Sequence, residues 1–185
     1  NSTDITKEGY MDERQESMVI NKKGNVMGRP FGGFNMFSEF SNGYILEYST
    51  ALDFSRFISK NGEFATGQLE KARPFSDGLA AVRKDGKWGF IDTTFKFIIP
   101  PIYTNCDFFS EGLIPVKKGN FWGYIDIKSN IVIPFKYDSC SVFTNSLAKF
   151  KIKADDYKIN GYIDKKGNVI WQKEKFESKD NSTKH

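Results

Sequence analysis

Three aspartates, Asp92, Asp126 and Asp164, recur at one matched position in this chain of 185 residues, with Asn21 and Ser59 at the same position earlier. Carboxylates stacked by folding could hold a cation such as calcium, which takes several oxygen ligands. The same residue types at the end of a strand also accept hydrogen bonds from backbone N–H groups of the turn that follows. Asn and Ser share the acceptor but not the charge, so the substitutions favour the turn. A basic row, Arg83, Lys117 and Lys151, recurs in the same manner, each just after an apolar residue. Like charges on neighbouring strands repel. Such a row either splays into water or meets an anionic partner: an acidic protein, a polyanionic glycan or lipid headgroups. Cys106 and Cys140 are a further matched pair. They allow a disulfide if their Cα atoms come within about 7 Å, or serve as small buried residues behind Tyr103 and Tyr137.

Catalysis needs converging titratable groups. The single histidine is His185, the last residue of a charged run, which excludes a His-based triad and a His metal site. Neither GxxxxGK[ST] nor GxGxxG occurs, so no glycine loop is built for phosphates. The chain reads as a non-enzyme with no cofactor and no metal. A net charge of +4 and a pI near 8.9, spread over charges of both signs, do not demand a membrane and argue against nucleic acid. No apolar run approaches the ~20 residues of a membrane span. Asn1 in place of Met marks a processed or cut chain, one that a secretory leader could have preceded.

The elements that must position these residues form a repeat. Phe75 returns as Phe109 and Phe143, a step of 34 residues, and Gly78, Val82, Trp88-Gly89, Pro100 and Tyr103 return in the same frame. A period in this range marks a repeat architecture. With the isoleucine as marker, five units follow one another at Ile20, Ile58, Ile91, Ile125 and Ile163. Lys84-Asp85-Gly86-Lys87 joins Leu79–Arg83 to Trp88–Asp92 as a hairpin. A third strand, Phe95–Ile99, ends at Pro100-Pro101, because proline cannot donate to a ladder. Each unit is thus a three-stranded meander. Alternation in Trp88–Asp92 puts bulk on both faces, and Gly89 and Gly123 leave room for an aromatic ring from the next unit.

A three-stranded meander is too small to be stable alone, so stacked units must share a core. The expected fold is all-β: a tandem, solenoid-like array of about five such repeats in one elongated or gently curved domain over residues 18–172. A propeller is the alternative, disfavoured because its blades have four strands and ~40 or more residues. Residues 1–17 read as a polar lead-in with one helical turn near Met11–Glu16, and 173–185 as a charged, disordered tail. Ala65–Pro74 reads as irregular, with room for a helical turn. In unit two, Ser55-Arg56 stand where Trp-Gly would, and unit five carries Asn160-Gly161 and an insertion within Lys153–Lys158. Off-pattern aromatics, Phe31, Phe34, Phe37 and Tyr157, either cap the stack or contact a partner.

The pattern F-S-[DE]-G-L-x-x-V, W-G-[FY]-I-D, [IV]-I-P-x-x-Y resembles the WG-repeat (KWG-repeat) family of bacterial proteins. The motif positions fall on Trp88-Gly89-Asp92 and Trp122-Gly123-Asp126, with Asn160 departing before Gly161 and Asp164. The resemblance implies an all-β array without catalytic residues, often in exported or envelope-associated proteins, acting as a binding or scaffolding region. On this reading the chain is a secreted or cell-envelope recognition module holding a protein or glycan along its repeat face. The alternatives are a cytoplasmic immunity or inhibitor protein that blocks a partner, and a structural spacer. Specific partners would meet the irregular stretches Gly28–Phe37 and Lys153–Lys158.

Overall fold

The structure is a computed structural model and describes residues 19–20, 26–28, 35–49, 53–154 and 157–176. Phe31, Phe34 and the turn near Met11–Glu16 lie outside them, and Phe37 is described only as part of a strand. All regular elements among the described residues are strands. The chain divides into compact units Asn1–Pro101 and Ile102–His185.

The first unit holds a two-stranded ribbon, β1 (Val19–Ile20) and β2 (Val26–Gly28), and a three-stranded sheet, β3 (Asn35–Phe37), β4 (Tyr44–Ser49) and β5 (Phe54–Ser59). The next sheet has four strands in chain order: β6 (Lys71–Ala72), β7 (Leu79–Lys84), β8 (Lys87–Asp92) and β9 (Phe97–Tyr103), with the unit boundary inside β9. The second unit repeats that plan twice. Its sheets are β10 (Asn105–Cys106), β11 (Ile114–Lys118), β12 (Phe121–Ile125), β13 (Ile131–Tyr137), then β14 (Ser139–Cys140), β15 (Ala148–Lys153), β16 (Tyr157–Ile163), β17 (Val169–Phe176). The pairings are antiparallel between strands adjacent in sequence, and among the described residues no sheet closes into a barrel.

The all-β tandem array is therefore the fold, but its regular sheet has four strands rather than three. The added strand is the two-residue piece β6, β10 or β14, which pairs with the start of the unit proper: Cys106 opposite Val116, Cys140 opposite Phe150, Ala72 opposite Val82. Two residues are too short to show a period-2 pattern, so the sequence reads them as connection. Four strands per sheet is also the count of a propeller blade, so strand number no longer separates the two architectures.

Two other expectations change. The third strand runs on through Pro100-Pro101 and through Pro134. It lies at the outer edge of its sheet, where a missing N–H leaves no partner unsatisfied. Ala65–Pro74 makes no helical turn. Isolated bridges Ser55↔Leu69 and Ile58↔Phe64 hold it extended over β5, and β6 follows. At the far end β17 continues to Phe176, beyond the expected limit of residue 172.

Within each unit neighbouring sheets share a core. Leu46 and Phe57 of one sheet cluster with Ala80, Val82 and Ile91 of the next. In the second unit Tyr124 and Ile133 join Phe143, Phe150 and Ile163. Each of these Leu, Val, Ile and Phe side chains, fully buried, contributes about 1.5–3 kcal/mol of transfer free energy, and no single sheet could bury both of its faces.

Candidate functional site

The turn after the middle strand uses the aspartate row. Asp126 Oδ1 accepts from the N–H of Lys128 at 2.9 Å and of Asn130 at 2.8 Å, while Oδ2 accepts from Asn130 Nδ2 at 2.8 Å. Asp164 repeats this with Lys166 and Asn168. Asp92 Oδ1 accepts from the N–H of Thr94 and of Lys96 and from the Thr94 hydroxyl. Ser59 Oγ takes the same N–H pair at 3.3 Å each. Among the described residues no group of His, Cys, Asp or Glu is arranged to hold a metal.

These bonds lower the carboxyl pKa values below their ordinary 3.8, through the Thr94 hydroxyl at Asp92 and the Asn130 and Asn168 side chains at Asp126 and Asp164. A group depressed in the folded state contributes stability that is full above its unfolded pKa and is lost as pH falls through the folded value. Acid unfolding is therefore expected to set in below about pH 4. Asp126→Asn should be less stable at neutral pH and should flatten the acid limb of a plot of melting temperature against pH. An unchanged limb would count against the turn role.

A second row missed in the sequence links strands to the neighbouring hairpin. Glu70 accepts from the N–H groups of Asp85 and Gly86, the tips of the β7–β8 turn, at 2.5 and 3.1 Å. Asp138 accepts from Lys153 N–H at 2.7 Å, and the Thr104 hydroxyl donates to Gly119 O at 3.2 Å. Asp85 and Gly86 both have positive φ, 51° and 73°, the tight hairpin turn for which Asp-Gly is suited. The serine of the F-S-[DE]-G corner clasps the following repeat: Ser41 Oγ donates to Phe75 O at 2.6 Å, and Ser110 Oγ to Phe143 O at 2.8 Å. The signal was the 34-residue spacing of 70, 104 and 138, whose residues differ in type but all offer an oxygen.

Gly89 meets the backbone of the outer strand, and Gly123 meets that backbone together with the Phe135 ring of its own sheet, rather than a ring from the next unit. A Cβ on Gly89 would lie 2.7 Å from Ile99 O and Pro101 N, and one on Gly123 2.7 Å from Ile133 O. The outer strand crosses directly over the glycine, and β12–β13 pairing shifts register there. A Cβ on Gly161 would meet Trp171 O and, at 2.7 Å, the Phe150 ring. Trp88 and Trp122 are half-buried beside Arg83 and Lys117 in register.

The basic row lies at equivalent positions on three separate sheets, with unequal surroundings. Arg83 Nε is 4.0 Å from the Glu70 carboxylate. Lys117 is half-buried between Asn105 and Trp122, and Lys151 is exposed between Ser139 and Asn160. Tyr157 opens β16 opposite Phe176, so the expected insertion lengthens the β15–β16 hairpin.

Neither cysteine forms a disulfide. They share their position with Ala72, the small residue of each two-residue strand, and Cys106 is buried. Burial pushes the Cys140 thiol up to about 12. Both should resist a thiol reagent at pH 8 in the folded protein and react at once in guanidinium; fast native labelling of either would contradict this packing.

Unit two departs most from the pattern. Glu47 and Arg56 face each other across β4–β5 as a buried ion pair, with Glu47 1% and Arg56 8% exposed. They occupy the places of Val82 and Gly89. The Phe64 ring stacks on the guanidinium at 3.7 Å.

Large apolar side chains are exposed at matched positions of the outer strands: Phe97 and Ile98, Ile131 and Val132, Val169 and Ile170 with Trp171. Among the described residues no helix is long and apolar enough to cross a membrane.

Comparison with curated protein sequences gives no match. Among solved structures, Hsv2 of Kluyveromyces lactis is similar with a TM-score of 0.53 at 8% identity, over 85% of this chain and 57% of that one. Hsv2 of Kluyveromyces marxianus is similar with a TM-score of 0.53 at 11% identity, over 89% of this chain and 57% of that one. This chain thus spans less than two thirds of either, and at such identity the likeness concerns the fold alone, successive small antiparallel sheets. The model of the WG containing repeat matches residues 56–88, 88–120 and 122–154, more than half of the chain. With its Trp-Gly strands, its clasped corners and these tandem matches, the chain belongs to the WG-containing repeat family.

Proposed function

We propose that this protein is a non-enzymatic recognition module of an exported bacterial protein, holding a protein or glycan partner on the exposed side of its repeats. The observation that carries the reading is the division of labour within the repeat. Its recurrent polar residues, Asp92, Asp126, Asp164, Glu70 and Ser110, are engaged in turns and clasps. Large apolar residues recur on its exposed side, at Phe97, Ile131 and Val169 and the residue after each. Apolar side chains left in water at repeated positions mark contact surfaces. Export is proposed on what the repeat family implies, and fractionation of the native cells tests it: the protein belongs with the envelope or the medium, and a purely cytoplasmic pool would favour the inhibitor reading.

A photo-crosslinking amino acid placed at Ile131 or Ile170 is expected to give a discrete adduct in native cells. The same group at Lys84 or Lys96, both exposed, should give none. Equal adducts at all positions, or none anywhere, would sink the reading in favour of a spacer.

A further inference from the structure

The sheet β14–β17 carries lysine over most of one face. In β15 the residues Ala148 and Phe150 point inward and Lys149, Lys151 and Lys153 outward. The register carries the outer face across the sheet in three rows: Lys149, Tyr162, Trp171; Lys151, Asn160, Lys173; Lys153, Lys158, Lys175. No carboxylate occupies any of these positions. Tyr162 and Trp171 lie 6.2 Å apart between ring centroids, and Trp171 is 53% exposed.

The matching face of β10–β13 does different work. There Pro115 stands opposite Tyr124 and both are buried. Tyr124 packs on Phe143 at 4.9 Å and donates to Ser141 O at 2.7 Å, so that face packs against the following repeat. In β14–β17 Lys149, Lys151, Lys153, Trp171, Lys173 and Lys175 of the corresponding face are exposed. An exposed face needs only to be polar, and alternating signs would supply cross-strand ion pairs as well as solubility. A single sign runs here in register over three strands, and an anionic ligand is its complement.

We propose that this face binds an anionic polysaccharide bearing carboxylate or sulfate groups, an assignment that rests on the recognition reading above and names the site and ligand class. A pyranose ring stacks on the Tyr162–Trp171 pair. Lys149, Lys151 and Lys173 take the acidic groups, and the Asn160 amide, set between Lys151 and Lys173, bonds ring hydroxyls. Strands about 4.8 Å apart, with same-face residues roughly 7 Å apart along each, give a grid of donors suited to charges repeated along an extended chain. Single-stranded nucleic acid asks for a succession of aromatic platforms, and a bilayer for an apolar face sunk below the charges. Here one aromatic pair ends a field of hydrogen-bond donors.

Calorimetric titration of the full chain tests the assignment with polygalacturonate as the carboxylate probe, dextran sulfate as the sulfate probe and plain dextran as the neutral one. A thymidine oligonucleotide and phosphatidylserine vesicles complete the set. The expected result is salt-sensitive binding to one charged polysaccharide, which identifies the acidic group, and none to dextran. K151E/K173E should weaken it about tenfold or more, W171A should weaken it with the melting temperature kept, and K84E should leave it unchanged. Failure to bind either charged polysaccharide, binding that survives K151E/K173E, or tighter binding to the oligonucleotide or vesicles overturns it. If adducts still form at Ile131 or Ile170 in that event, the recognition reading stands and only this site falls; if neither result appears, both fall.

Discussion

Gly123→Ala is expected to destabilise the protein by roughly 2–4 kcal/mol, at or above the upper end of overpacking costs. The new Cβ would sit 2.7 Å from Ile133 O and 3.0 Å from Phe135 N, both backbone atoms of β13. A flexible side chain could turn aside from such a contact; a paired strand cannot. β13 must lift away from β12, loosening Ile133 and Tyr137, both buried in the shared core. For a chain of this size the melting temperature should fall by on the order of 10 °C. Gly67→Ala is the control, because nothing lies within 4 Å of its added Cβ and its φ is not in the left-handed region; it should stay within about 0.5 kcal/mol of the parent. Equal melting temperatures for the two variants would show that the close crossing does not constrain the repeat.

Arg56→Met should cost about 3–5 kcal/mol, the usual effect of removing one partner of a buried ion pair. The pair lies opposite in register, Phe64 covers the guanidinium, and Glu47 is 1% exposed. The regular repeats put Val82 opposite Gly89 and Val116 opposite Gly123 at this place. The double change Glu47→Val with Arg56→Met should therefore recover most of the loss, because well-packed apolar replacements of buried pairs are often neutral or stabilising. Denaturant titration of both singles and the double reads the coupling directly. A double variant as unstable as the sum of its singles would mean that the extended cover Ala65–Leu69, which here replaces a regular outer strand, depends on the charges themselves.

These variants separate what was legible from what was not. The repeat frame, the two-residue turn at Asp85-Gly86 and the turn-forming use of Asp, Asn and Ser were readable, because each depends on residues close in the chain. Arg56 was visibly out of pattern in the glycine place, but its partner Glu47 was not, since it lies on another strand. The alternation Lys149, Lys151, Lys153 was present in the sequence, but its continuation through Asn160 to Lys173 and Lys175 needed the strand register.

The sequence by itself determined the all-β class, the tandem period and the absence of a histidine-centred site, because repetition and composition are properties of one dimension. Tertiary structure decided the fourth strand, the passage of the outer strand through Pro100, Pro101 and Pro134, and the backbone that fills the space above Gly89 and Gly123. Those outcomes depend on which strand is an edge and what crosses it. Edges and crossings arise only when separate strands meet, so no local preference encodes them.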